Sequence, residues 1–116
     1  MTIHDSQVLS PVGVLLRAHR LLAQADAEAT RRASRTRGLD EVDLAFALSC
    51  LRGQVLDLVP APVRHLLSHV PAATGDDPVD LAAAAEQVLR TVPLEQMPPG
   101  TGALLCRLTE TLRRFW

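Results

Sequence analysis

The sequence predicts an all-α protein, a compact bundle of four main helices plus one short helix. Leucine and alanine supply nearly a third of the 116 residues and recur at gaps of three and four, the mark of one buried helical face. No run alternates apolar and polar residues with period two for long enough to suggest a strand. Prolines stand between the periodic stretches or at their first positions, where the missing N–H is no loss and the fixed φ suits a helix start.

The first helix opens at Ser10, whose side chain suits an N-cap, with Pro11 at its first position. Leu15, Ala18, Leu22, Ala25 and Ala29 form its stripe, which fades into Arg31, Arg32, Arg35 and Arg37 before Gly38 supplies the stop. The second helix starts at Asp40, with Asp43 in the first turn where the helix dipole favours negative charge. Leu44, Leu48, Leu51, Val55 and Leu58 line it, and Pro60 and Pro62 end it near Val59. A short helix over Pro62 to Val70 presents Leu66, Leu67 and Val70, and Pro71 to Asp77 reads as a loop.

Asp77 and Pro78 start the next helix, carried by Leu81, Ala85, Val88 and Val92 and widened by Ala82 and Leu89. Pro93, Pro98, Pro99 and Gly100 break the chain again. Thr101 then caps a last helix bearing Leu104, Leu105, Leu108, Leu112 and Phe115. Residues 1–9 are expected to be a flexible N-terminus and 10–116 a single helical domain.

Twelve basic and 13 acidic residues leave a net charge of −1, and 47% of the chain is hydrophobic. That balance argues against disorder and gives non-specific nucleic-acid binding no help. The longest uncharged apolar run, Leu44 to Leu51, falls far short of the roughly 20 residues of a membrane span, and no secretory signal is visible. A cytoplasmic protein is therefore expected. Cys50 and Cys106 read as reduced thiols, each a small buried hydrophobe within a helix. Every basic residue is Arg, and there is no Lys, Asn or Tyr, a bias most simply ascribed to GC-rich coding. It leaves no lysine for Schiff-base chemistry and makes every cation a fixed charge suited to two-pronged carboxylate binding.

His65 and His69 have the spacing of two metal ligands on one helix, but no third ligand stands at a telling distance, so no metal is expected. The run Arg31 to Arg37 is the one basic concentration. Without interleaved aromatics or a preceding helix-turn-helix pattern, it reads as a solvated helix end. No phosphate-binding glycine motif and no GxSxG turn is present, so no cofactor is expected. Gly53, inside the second helix, is read as a point of close approach by a neighbouring helix.

Arg52 sits at the margin of the second helix's stripe, and Glu86 holds the same place on the helix after Pro78. A guanidinium there either meets a carboxylate of another helix, Glu86 first and Glu110 second, or extends its head to solvent over the leucines. A pocket between helices would draw on Arg17, His19, Arg52, Gln54 and Glu86. Phe115 and Trp116 either fold onto the core or anchor an interface.

The stretch Leu51-Arg52-Gly53-Gln54-Val55-Leu56-Asp57-Leu58-Val59-Pro60 resembles a family of small helical proteins from Streptomyces and related actinobacteria, labelled as natural-product biosynthesis proteins. Arg20-Leu21-Leu22, Ala85-Glu86 and the final helix from Leu104 to Trp116 follow that family's order, with Gln54 where it has His. The resemblance implies a setting in secondary metabolism and no particular chemistry. The leading expectation is a non-catalytic module that binds a protein partner or itself. Its rivals are a small enzyme or ligand carrier with an interhelical pocket and a nucleic-acid-binding regulator using the arginine run.

Overall fold

Helix α1 runs from Pro11 to Thr36, and α2 from Leu39 to Leu58. A 3₁₀ helix covers Ala61–His69, α3 covers Pro78–Leu89, a second 3₁₀ turn covers Leu94–Gln96, and α4 covers Thr101–Phe115. The computed structural model describes residues 10–116, and within them there is no strand. The all-α class holds. The single short helix is corrected to two short 3₁₀ segments, and the flexible N-terminus expected for residues 1–9 lies outside the described residues.

The helices form a ring. The long α1 packs against α2 on one flank and α3 on the other, and α4 closes the ring by touching both α2 and α3. Consequently α2 and α3 lie across the ring from each other. Val14, Leu15, Leu22, Leu48, Val55, Leu81, Leu89 and Leu108 fill the centre. Ala18, Ala25 and Ala29 of α1 and Ala82 and Ala85 of α3 are buried as well, and such small side chains permit short interaxial distances.

Ser10 caps α1 as expected, its hydroxyl accepting the Gly13 N–H at 3.0 Å. At the other end the expected roles shift by one residue. Arg37 takes the left-handed conformation at φ 54° and donates its N–H to Ala33 O at 2.8 Å, while Gly38 is extended and serves as N-cap of α2. A two-residue link must end one helix and begin the next, so Gly38 cannot do both. The Glu41 carboxylate folds over Gly38 into the space that a Cβ there would take.

The segment expected as a helix over Pro62 to Val70 is wound with three residues per turn, and none of its residues is buried. That winding sets His65 and His69 about 120° apart around the axis, which removes the shared face their spacing suggested. Helix α3 ends three residues before Val92, yet Val92 is buried by the turn that follows. Thr101 is the first residue of α4 and not its cap. Its buried hydroxyl donates to Pro98 O at 2.8 Å, and Gly100 at φ 98° supplies the left-handed turn.

Candidate functional site

The five residues expected around one pocket fall into separate places. Arg52 does meet a carboxylate of another helix, but it is Asp26 of α1, with Nε 3.2 Å from Oδ2. Glu86 instead accepts the Thr109 hydroxyl of α4 at 2.5 Å and Arg90 Nη2 at 3.4 Å. The ring order is the reason: α2 borders α1 and α4, whereas α3 faces α2 only across the core. Glu110 is exposed and is not the partner of Arg52.

His19 lies on the Asp26 side of α1, half-buried near Arg52. Burial first, then the positive charges of Arg52 and Arg20, hold its pKa below the ordinary 6.5, so the imidazole is neutral at pH 7. Gln54 projects from the opposite flank of α2 into a small cleft of about 220 Å³ against α4, beside Asp57 and Arg107. Among the described residues its buried Oε1 has no hydrogen-bond partner, and neither has Arg20 Nε. Arg17 lines a different groove, about 360 Å³, between α1, the loop before α3 and Asp80.

A larger opening lies at the end of the bundle where α1 and α4 finish and α2 and α3 begin. This cleft measures about 600 Å³. Ala29, Leu44, Val79 and Phe115 give it apolar walls, and Arg32, Arg35, Asp40, Glu41 and Asp77 give it charge. Arg32 is held by Glu28 at 3.3 Å and Asp77 at 3.6 Å, and its Nη2 also donates to Asp76 O at 3.2 Å. Arg35 has no ion pair among the described residues. The arginine run is thus not one continuous basic face. Arg31 and Arg32 both lean on Glu28, whose carboxyl is held below its usual pKa first by the Arg31 hydrogen bond.

Phe115 and Trp116 take different positions, and neither joins the core. Phe115 turns inward to the cleft, with the Arg114 guanidinium 5.0 Å from its ring centre. Trp116 stays 76% exposed. Arg114 also pairs with Asp43 of α2 at 3.0 Å, tying the end of α4 to that helix.

The feature that sequence reasoning missed is the outward face of α2. Leu39 is 82% exposed, Val42 47% and Phe46 71%. Their offsets of three and seven put them on one side of the helix, opposite buried Leu48, Leu51 and Val55. Ser49, Cys50 and Gly53 continue the same side, all exposed. Two expectations are overturned here. Among the described residues nothing lies within 4 Å of a Cβ built at Gly53, so none of the described helices approaches it, and both Cys50 and Cys106 are exposed. The signal was present in the sequence: α2 carries apolar residues around its whole circumference, and one stripe is enough for one core.

No helix among the described residues is long and apolar enough to cross a membrane, and no three His, Cys, Asp or Glu side chains among them gather as a metal site. No known protein family, curated protein or solved structure matches the chain.

Proposed function

We propose that the protein is a non-catalytic interaction module, a cytoplasmic accessory protein of natural-product biosynthesis, and that the outward face of α2 is its working surface. The observation that carries this reading is the exposure of Leu39, Val42 and Phe46 in one stripe. Burying a side chain of this size contributes about 1.5–3 kcal/mol, and a fold that leaves three of them together in water keeps that gain for association. Large aromatic and aliphatic anchors are also the residues that dominate interface energetics. The biosynthetic setting rests on the resemblance carried by Leu51 to Pro60.

The test is capture from an extract of the native host with two baits, the wild-type protein and Phe46→Asp. A protein partner retained by the first and lost from the second supports the reading. Equal retention by both sinks it. The 600 Å³ cleft favours a second reading, a carrier for a small molecule, because its volume and its mixture of apolar wall and Arg35, which has no ion pair among the described residues, suit an amphipathic ligand. A metabolite that co-purifies with wild type and is lost from Arg35→Glu, with Phe46→Asp unaffected, would favour the carrier.

A further inference from the structure

We propose that the groove beside Arg17 and Arg20 of α1 binds the phosphoryl group of a small phosphate monoester. The groove holds about 240 Å³ and lies between α1 and the chain that follows the first 3₁₀ segment. Arg17 and Arg20, one turn apart on α1, stand on one side of it, and Val70, Pro71 and Ala73 form the other. The site is separate from the outward face of α2. It is also distant from the 600 Å³ cleft, since Arg20 and Arg35 are about four turns, or roughly 22 Å, apart on one helix. The Nε of Arg20 is buried and has no hydrogen-bond partner. A guanidinium cannot shed its proton, so a buried N–H of this kind calls for an acceptor. Neither Arg20 nor Arg17 has an ion pair among the described residues. The sequence gives the reason. Residues 10–24 of α1, and residues 58–75 that pack on it, contain no Asp and no Glu, yet they carry Arg17, Arg20 and Arg64. In a chain of net charge −1 this is a local positive surplus.

The groove is held open in advance of any ligand. Gln24 of α1 donates to Ala73 O at 3.1 Å and accepts the Ala73 N–H at 2.8 Å, which fixes the end of the opposite wall. Asp76, Asp77 and Asp80 line the adjoining groove, which shares Arg17, and Asp77 is engaged by Arg32. Those carboxylates bound the positive site on that side, so the uncharged part of the ligand is directed over Val70 and Pro71. Charge and size then select the ligand. Two permanently charged, forked donors match a phosphoryl group, with its charge of about −1.5 to −2 at neutral pH and three acceptor oxygens. A carboxylate would answer only one of them. The volume is below the roughly 300–1,000 Å³ of sites for drug-sized ligands, which leaves room for a phosphoryl group on a skeleton no larger than one ring.

The test is a titration followed by nitrogen–proton correlation NMR at constant ionic strength, with phenyl phosphate, inorganic phosphate and benzoate as probes. The Arg20 Nε–H signal, sheltered by burial and identified by its loss in Arg20→Lys, should shift and saturate with phenyl phosphate, together with the amides of Leu21 and Ala73. Inorganic phosphate should bind more weakly for want of contact with Val70 and Pro71, and benzoate more weakly for want of the second charge. Arg17→Gln and Arg20→Lys, read from the Leu21 and Ala73 amides, should each weaken phenyl phosphate by about tenfold or more, the loss of one charge-assisted contact. Arg35→Glu, in the other cleft, should leave it unchanged within about twofold. If Arg20→Lys does not fold, Arg17→Gln at its exposed position decides. No saturable shift at millimolar probe, or an affinity that neither variant lowers, overturns the site. An equal loss in Arg35→Glu overturns it too, because the binding is then to net charge. Benzoate that binds as tightly as phenyl phosphate overturns the dianionic ligand. Inorganic phosphate that binds as tightly supports the phosphoryl site and overturns the organic skeleton.

Discussion

Helices α1 and α2 lie side by side and are joined by two residues, yet they spend their apolar residues differently. Helix α1 is capped by Ser10, buries one stripe, and turns a polar flank outward that holds the neighbouring loop. On that flank the Gln24 amide makes two bonds with one residue, donating Nε2 to Ala73 O at 3.1 Å and accepting the Ala73 N–H at 2.8 Å. Helix α2 has no side-chain cap, fully buries only Leu48, Leu51 and Val55, and leaves Leu39, Val42 and Phe46 in solvent. An apolar residue on α1 is therefore a statement about folding, while on α2 it is one only on the side that faces the core.

Substitution separates the two helices most widely at matched apolar positions. Leu22→Ala, at a fully buried site of α1, should cost about 2–5 kcal/mol through lost transfer energy and the cavity left behind. Phe46→Ala, although it removes a larger side chain, should change monomer stability by about 0.5 kcal/mol or less. Urea denaturation at low protein concentration measures both, and a large loss at Phe46 would mean that α2 has only one face.

Next in size is Gln24→Ala, which removes both bonds to Ala73 and should cost about 1–3 kcal/mol. Hydrogen exchange should show the Ala73 amide losing protection first. Gly53→Ala tests the comparison from the other side. Because nothing among the described residues meets the added methyl, the change should stabilise the monomer by up to about 1 kcal/mol through helix propensity alone, read as a higher urea midpoint.

The seam between the two helices supplies the smaller effects. A double-mutant cycle on Asp26 and Arg52 should return a coupling below about 1 kcal/mol, since the Arg52 side chain is 45% exposed and solvent screens the pair. A coupling of several kcal/mol would make this pair part of the core. His19 adds a pH dependence of known sign. Its pKa is depressed in the folded protein, so its contribution is complete above the ordinary 6.5 and is lost as pH falls through the folded value. Stability measured from pH 7.5 downward should decline more steeply for wild type than for His19→Gln.

Much of the helical order was legible in the residues themselves. Ser10-Pro11, Pro78 and the proline pairs mark starts and stops because their chemistry is local: a side-chain acceptor at Ser10, a locked φ, a missing donor; Asp77 stands at the N-cap of α3 but makes no side-chain cap bond. The buried stripe of α1 was legible for the same reason, since a single period in the sequence maps onto a single face. Tertiary structure alone decided which elements are neighbours. Arg52 chose Asp26 over Glu86 because α2 sits beside α1 and across from α3, an arrangement that no spacing within one helix encodes. The 600 Å³ cleft is likewise assembled from four helix ends far apart along the chain. On α2, with apolar residues on every side, periodicity offered two faces for one core, and it was the position of α1 and α4 that buried Leu48 and left Phe46 in water.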